Sequence, residues 1–441
     1  MRSAIPKVLH PLAGKPLVAH VLDAARKLSP QAMTVVVGHG AASVQAALAS
    51  PDLRFVVQDP PRGTGDAVRI ALADAPSDGA VLVAIGDIPL VPAEALASLV
   101  AAAHEGKLAV LTANVPDPTG LGRIVRDARG AVRAIVEERD ADPGQRAIRE
   151  INTGVMAAPA ALMKQWVAAL TPDNAQGEYY ITDIVAMACE QGVAVVAEIA
   201  ADERDVRGIN DRAQLAAVER IVMEHRANAL MLDGVSIVDP TRIEIRGNLR
   251  CAQDVRIDVG CVFEGDVTLG EGACVGPYCV LRDVIVGAGT VIEPYCHLVE
   301  TMVGAHCRVG PFARTRPGSA LDDEVHIGNF VEVKASRIGR GSKANHLAYI
   351  GDSTVGGGVN YGAGSIVANY DGAHKHRTVI GDRASIGSNC VLVAPVEVGE
   401  GATIGAGSVI ARNAPPGTLT VARVRQVTVE GWQRPVKDKK E

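Results

Sequence analysis

The 441-residue chain reads as an α/β domain, then a helical arm, then an all-β solenoid built from six-residue repeats. Three observations carry that reading. Aliphatic residues recur at every sixth position through Ile380, Ile386, Leu392, Val398, Ile404 and Ile410, with Gly after most of them. The same beat runs upstream through Ile245, Cys251, Ile257, Phe263, Leu269, Val275 and Leu281. Neither a 3.6-residue helix nor simple strand alternation produces it; short strands joined by turns do, which predicts a stacked parallel β-helix. Before about residue 210, strand-like runs instead alternate with Ala-rich amphipathic stretches, the pattern of an α/β domain. Finally, aromatic residues make up only 3% of the chain, which suits a narrow aliphatic solenoid interior.

Residues 1–210 form the expected α/β domain. Strands are predicted near Thr34–Val37, Phe55–Val57, Val81–Ile85 and Leu108–Thr112, and a helix near Leu17–Lys27, around a largely parallel, Rossmann-like sheet. Ligands of such sheets sit beyond the carboxyl ends of the strands, so Gly86-Asp87 is well placed for chemistry. Residues 211–233 are predicted as one helix, capped by Asn210-Asp211 and stopped by Gly234. Leu215, Val218, Val222, Ala229 and Leu232 should form its apolar stripe. Residues 234–441 are the solenoid, with about nine coils of 18 residues between 245 and 410, roughly 45 Å tall at strand spacing.

Composition excludes several classes of function. Net charge is −6, and no basic tract precedes the Lys437-Asp438-Lys439-Lys440 tail, which argues against nucleic acid as a partner. No run of 18 apolar residues occurs, so no membrane partner is expected. The first residues lack the apolar core of a secretory signal. Eight cysteines are scattered without a C-x-x-C pair, the usage of a reduced, cytoplasmic protein.

The repeat breaks in three places, and chemistry belongs where a regular scaffold breaks. Arg314-Thr315-Arg316-Pro317-Gly318 sets cations beside a turn. Asn329 to Lys334 leads into Lys343 to Tyr349, and Asn360 to Ala363 precedes the polar stretch Asn369 to Lys375. Cations suit a phosphorylated substrate, and the His346 imidazole suits proton removal near neutral pH. A histidine alone is more often structural; the surrounding Lys334, Arg316, Tyr349 and Asn360 favour chemistry. A histidine-ligated metal is the rival reading. His326 and His346, 20 residues apart rather than one coil, speak against it.

These motifs, in order, resemble the bacterial bifunctional enzymes of UDP-N-acetylglucosamine synthesis. That family joins a glucosamine-1-phosphate N-acetyltransferase to an N-acetylglucosamine-1-phosphate uridyltransferase. The resemblance implies a left-handed β-helix and a homotrimer with sites between subunits. It implies His346 as general base for attack of the amine on acetyl-CoA, and the nearby Glu332 carboxylate is a candidate to orient the ring. Arg316, Lys334, Tyr349, Asn360 and Lys375 match positions that hold the amino-sugar phosphate. Ala363, Asn369, Tyr370, Ser388, Ala406 and Arg423 match the acetyl-CoA site, Ser388 being a candidate oxyanion donor. Taken singly, each has a plainer reading as a turn or packing residue; the ordered set carries the weight.

In the first half, Lys7, Gln58, Gly63, Thr64, Gly86, Asp87, Gly122, Glu137, Asn152 and Asn210 match UDP-sugar-binding positions, in order. Gly63-Thr64-Gly65 permits close backbone approach to a base or sugar. Asp87 with Asn210 makes a hard-oxygen pair for Mg²⁺, and Lys7 brings a point charge for phosphate. Gln58 and Gly63 resemble uracil-reading positions; Gly122, Glu137 and Asn152 resemble sugar-reading ones. The family opens with a strand and a Gly-rich loop ending in Thr-Arg-Met before Pro-Lys-Val-Leu, whereas this chain opens Met1-Arg2-Ser3-Ala4-Ile5-Pro6-Lys7. Either Met1 corresponds to the methionine ending that loop and the true start lies upstream, or the first domain is a remnant. As given, the chain is expected to acetylate and to use UTP poorly. A single-function acetyltransferase on an α/β scaffold is the alternative, and a non-catalytic protein of the same two folds is a third.

Overall fold

The computed structural model describes residues 1–434, so the Lys437-Asp438-Lys439-Lys440 tail lies outside the described residues. The chain divides into two compact units, Met1–Glu224 and a second beginning at His225. The division falls inside the long helix rather than at its ends.

Beyond a two-residue hairpin at Pro11–Leu12 and Lys15–Pro16, the strands of the first unit are β1 (Met33–Val37), β2 (Leu53–Val57), β3 (Ala80–Val83), β4 (Leu108–Asn114), β5 (Arg123–Arg126), β6 (Val132–Val136), β7 (Glu150–Pro159) and β8 (Val195–Ile199). The main helices are α1 (Leu17–Arg26), α2 (Ala41–Leu48), α3 (Thr64–Ala71), α4 (Ala93–His104), α5 (Ala160–Ala169), α6 (Ile184–Glu190) and α7 (Arg212–Leu232). The sheet is mixed, not largely parallel. The long β7 runs antiparallel to β3, β4 and β5, while β4 and β8 are parallel. A hairpin, β5–β6, leads into β7 and reverses its direction. The pair β1–β2 forms a separate parallel sheet, not hydrogen-bonded to β3.

Strand β4 shows why this half holds together. Its residues Leu108 to Ala113 are buried on both faces. Leu108 and Val110 pack with Met163, Trp166, Ile184 and Val185 from α5 and α6, whereas Ala109 and Leu111 pack with Leu96 and Leu99 from α4. Period-two alternation thus feeds two cores from one strand. Each fully buried Leu or Val contributes about 1.5–3 kcal/mol.

Helix α7 begins after Asp211, whose side chain accepts from the Gln214 amide at 2.7 Å, while Gln214 Oε1 accepts from Asn210 N. Its buried residues are Val218, Ile221, Val222, Met223 and Ala227. Ala229 and Leu232 are exposed, against expectation. The apolar stripe follows the first five turns and drifts off the 3.6-residue line at the end. No described helix is long and apolar enough to cross a membrane.

The second unit is a parallel β-helix with three faces. Face one is an eleven-stranded sheet from Ser236–Ile237 to Leu419–Thr420, about 48 Å tall. Faces two and three share the other sheet: the lower strands, such as His297–Val303, run through their common corner. Above them Pro317 and Gly318 split the rung into Arg314–Arg316 and Ser319–Leu321. Proline removes a ladder donor, and Gly318 takes φ +78° at the bend. The six-residue beat holds inside: Ile380, Ile386, Leu392, Val398, Ile404 and Ile410 are all buried. The coil length is not a constant 18, however. Val275 pairs with Ile292, and Ile292 with Val309, a step of 17, whereas Tyr361 pairs with Ile386 across the inserted loop that carries Asn369 to Lys375.

Aromatics sit outside the solenoid more than in it. On the corner between faces one and two, Tyr278, Tyr295, Phe312 and Phe330 stack at centroid spacings of 5.3, 5.0 and 5.3 Å. All eight cysteines are free thiols, and Cys261, Cys279, Cys296, Cys307 and Cys390 are buried. Burial pushes Cys251 up to about 12 and, as the largest cause, Cys261 up to about 11.

Candidate active sites

The corner that carries the aromatic stack continues upward as a column of small and polar residues. Backbone bonds climb it rung by rung: Leu347 N to Asn329 O, Gly364 N to His346 O, Asn389 N to Ala363 O, and Gly407 N to Ser388 O. His346, Ala363, Ser388 and Ala406 therefore stand one above another. Arg423 closes the column, its guanidinium donating to Ala406 O at 2.9 Å. Five levels at strand spacing span about 19 Å. The stack of rings ends at Phe330. Above it Leu347 is exposed, and at the next level stands Gly364, where a Cβ would collide with Asn389. The aromatic stack thus gives way to Leu347 and then to a glycine where the histidine column begins.

His346 is exposed, and its Nδ1 lies 2.9 Å from Asn329 Oδ1 on the rung below. Glu332, expected to orient the ring, is engaged elsewhere. It accepts from Arg316 at 3.1 Å and lies 3.7 Å from Arg314. The register explains this: Glu332 pairs with Tyr349 on face two, three residues past the corner, whereas Asn329 pairs directly with His346.

Face two carries the cations. Arg316 and Lys334 are register partners on successive rungs. Lys334 Nζ donates to Asp352 Oδ2 at 3.0 Å; both side chains are largely shielded, at 14% and 18% exposed. Asn369 Nδ2 also donates to Asp352 and reaches the Tyr349 hydroxyl at 3.4 Å. Asn369, assigned by resemblance to acetyl-CoA, thus stands among the amino-sugar residues. Gly351 makes room for this, since a Cβ there would strike the Tyr349 hydroxyl. Lys375 comes down from the inserted loop beside Lys334, and that neighbouring ammonium, with Arg316 adding to it, holds Lys375 below the usual lysine range. Tyr370 stays within the loop, its exposed hydroxyl donating to Gly372 O.

Asn360 is not brought to this patch. It lies on face one as the partner of Lys343, across the corner from Tyr349. His346 stands at the end of its face-one strand, five residues before Gly351 along the rung and across the corner from the Lys334 column. Asp352 and Asn329 were missed by sequence reasoning. The only signal for either was its place beside a residue already singled out.

In the first unit the candidate residues gather at the carboxyl ends of β2 and β3. Lys7 Nζ donates to the Asp87 carboxylate and, at 2.9 Å, to Asn210 Oδ1. The two oxygens proposed for a cation therefore converge on one positive charge. Gln58 follows β2, and its Nε2 donates to both Gly63 O (3.1 Å) and the buried Asp66 carboxylate (2.9 Å). Both amide hydrogens are engaged, so Oε1 is the free atom. Gly63 adopts φ +106°, and a Cβ there would meet the Tyr179 backbone at 2.6 Å. The chain's own segment at 179, clipped by Tyr179 N to Arg62 O and Gly65 N to Tyr179 O, packs against the side of Gly63 where a Cβ would stand. Thr64 Oγ1 accepts from Ile181 N at 3.3 Å, and Gly86 lies against Val8 and Val18.

Gly122, Glu137 and Asn152 do come together. Asn152 N donates to Gly122 O at 2.8 Å, and the Glu137 carboxylate lies over the Gly122 Cα, where a Cβ would sit 3.3 Å from its oxygens. Glu137 accepts from Thr182 Oγ1 at 3.2 Å. Burial pushes its carboxyl above the usual range, and Asp183 and Asp140 add repulsion.

A MobA-like NTP transferase domain model matches residues 1–155. A GMPPB C-terminal domain model matches 245–338, and a model of six bacterial transferase hexapeptide repeats matches 377–412. The "Bifunctional protein GlmU" of Ralstonia pickettii (strain 12J) is 54% identical over 441 residues, all of this chain and 97% of the relative. The same-named protein of Burkholderia vietnamiensis (strain G4 / LMG 22486) is 53% identical over 439 residues, 97% of its length. The chain belongs to the GlmU family.

As a GlmU-family protein it is a two-domain transferase of UDP-N-acetylglucosamine synthesis. It acetylates glucosamine-1-phosphate from acetyl-CoA and transfers uridylyl from UTP, releasing pyrophosphate. The scaffold reading of the α/β half gives way, because the nucleotidyltransferase model matches that half. The non-catalytic reading gives way with it.

Proposed function

We propose that acetyl transfer is carried out along the corner column, with His346 as general base and the face-two cations holding the phosphate. The observation that carries this is the cluster of Arg316, Lys334 and Lys375 beside two carboxylates, Glu332 and Asp352, next to Tyr349 and Asn369. Such an excess of positive charge is stabilised by a bound phosphate. His346 Nε2 takes a proton from the sugar amine as nitrogen attacks the thioester carbonyl. Ser388 donates to the developing oxyanion, then the carbon–sulfur bond breaks and the imidazolium returns the proton to the departing thiolate. Ala363, Ala406 and Arg423 line the coenzyme along the same column, with Tyr370 at its loop.

The site is completed between subunits. Asn360 and Lys334 lie on different faces of one solenoid. A face-one Asn360 reaches a face-two Lys334 when neighbouring copies pack corner to face in a homotrimer. Two impaired variants, Lys334→Ala and Asn360→Ala, should then regain thiol release from acetyl-CoA at limiting glucosamine-1-phosphate when refolded together. Absence of recovery in verified mixed trimers would place both residues in one-chain sites.

For uridylyl transfer, Asp87 and Asn210 fit Mg²⁺, since their oxygens already share one cation, the Lys7 ammonium. Bound there, the ion would neutralise charge on the triphosphate. Lys7 would then be free to meet a phosphate oxygen. Gln58 Oε1 accepts from the uracil N3–H, with Gly63 and Thr64 beside the base and Gly86 near the phosphates. Gly122, Glu137 and Asn152 hold the sugar. Free thiols and the two intracellular co-substrates, UTP and acetyl-CoA, support a cytoplasmic location.

A further inference from the structure

We propose that Asn329 is the positioning residue of His346: it fixes the proton on Nδ1 and so presents Nε2 as a free lone pair to the amine. The proposal rests on reading His346 as the base, and it goes beyond that reading by naming what sets the ring. Three observations support it. Asn329 and His346 are register partners on adjacent rungs, so their side chains rise from one column. The Asn329 Oδ1 lies 2.9 Å from Nδ1. The rungs below carry Pro277, Pro294 and Pro311 in this column, so the amide appears one level beneath the imidazole, where its acceptor is of use.

An amide oxygen carries no hydrogen. In a neutral ring the hydrogen between Oδ1 and Nδ1 therefore belongs to the imidazole, and Nε2 is unprotonated. On proton transfer from the amine, Nε2 becomes N–H, and Oδ1 still accepts from Nδ1 with greater strength, because the donor is now charged. The Asn329 contact thus favours the imidazolium that forms during attack. A carboxylate at the same place would favour it more.

The charged and titratable groups around the ring are few. Lys343 lies on its own strand, and His326 lies on the strand below, close enough to feel its charge. Toward face two stand Glu332, held by Arg316 and Arg314, and Tyr349. Above are the uncharged Asn360, Ala363 and Ser388. His326 is kept below the usual histidine range by partial burial first, then by Arg308 and Lys343. Its titration is separated from that of His346 by running every profile in a His326→Gln background as well.

The experiment has a spectroscopic and a kinetic arm, both on the full chain. Long-range ¹⁵N–¹H NMR of the imidazoles, with His346 assigned by its absence in His346→Ala, should show the Nδ1-protonated neutral tautomer. In Asn329→Ala the signal should move toward a mixture of tautomers, and kcat for thiol release should fall about five- to tenfold at unchanged KM, the worth of one net hydrogen bond. In Asn329→Asp, an isosteric change that keeps the fold, the acid limb of the kcat profile should move up by about one pH unit or more. Pyrophosphate formation from UTP should be untouched in both variants. An Nε2-protonated ring in the unsubstituted protein, or an unmoved acid limb in Asn329→Asp, overturns the proposal. Thiol release surviving in His346→Ala would instead overturn the base reading, while the tautomer result would stand as measured.

Discussion

Lys334 Nζ and Asp352 Oδ2 meet at 3.0 Å across adjacent rungs, at the point where face two turns into face three. The aspartate occupies the corner in the left-handed conformation, φ +50°, so its carboxylate turns back over the lysine. Asp352 also holds Asn369, which touches the Tyr349 hydroxyl. One carboxylate therefore arranges three proposed substrate contacts. Lys334→Ala is expected to raise KM for glucosamine-1-phosphate by about 10- to 100-fold, the worth of a charge-assisted hydrogen bond of about 1.5–3 kcal/mol. Asp352→Asn should raise it less, and initial rates at varied amino sugar distinguish the two.

Glu137 is a carboxyl whose folded pKa lies above its ordinary value, chiefly through burial. The native state therefore binds this proton more tightly than the unfolded chain. Its contribution to stability is greatest at low pH and is lost as pH rises from the unfolded pKa through the folded one. Glu137→Gln should raise the melting temperature of the first unit at pH 8 relative to pH 4, while weakening sugar binding in the uridylyl reaction. Melting curves at the two pH values check the sign.

Asp66 pins Gln58 by taking one of its amide hydrogens, and Gly63 O takes the other. Asp66→Asn frees the amide to turn over and offer Nε2, which suits the N3 acceptor of cytosine. The ratio of kcat/KM for UTP over CTP should fall by about tenfold, a loss of roughly 1.4 kcal/mol in discrimination. Competition between the two nucleotides in one reaction measures it directly.

Chelation separates the two chemistries. Removing divalent cations should stop pyrophosphate release and leave thiol release unchanged, because the acetyl site uses only an imidazole, hydroxyls and cationic side chains. Loss of both activities would show that a metal also serves the second unit.

Much of this was legible before any coordinates. The Ile380 to Ile410 beat specified inward positions, and every one of those residues is buried. The cation-rich breaks gathered Arg316, Lys334 and Lys375 as expected. What the pattern did not convey depends on register. Asn329 faces His346 because a 17-residue coil sets them opposite each other; an 18-residue coil would have shifted the pair. Glu332 looked closer in sequence terms, yet lies past the corner on another face. Likewise Gly63 and Gly65 suggested room for a ligand. On the side where a Cβ would stand, both glycines also admit the chain's own residues near Tyr179, a contact between segments more than 100 residues apart. The long β7 was not among the predicted strands, and its antiparallel pairing is what makes the sheet mixed.

The most direct measurement is a paired assay of His346→Ala, recording thiol release from acetyl-CoA and pyrophosphate release from UTP in the same preparation. Thiol release should drop by 10²-fold or more, with pyrophosphate release unchanged. Thiol release within a few-fold of the unsubstituted protein would contradict an imidazole-driven transfer on the solenoid corner.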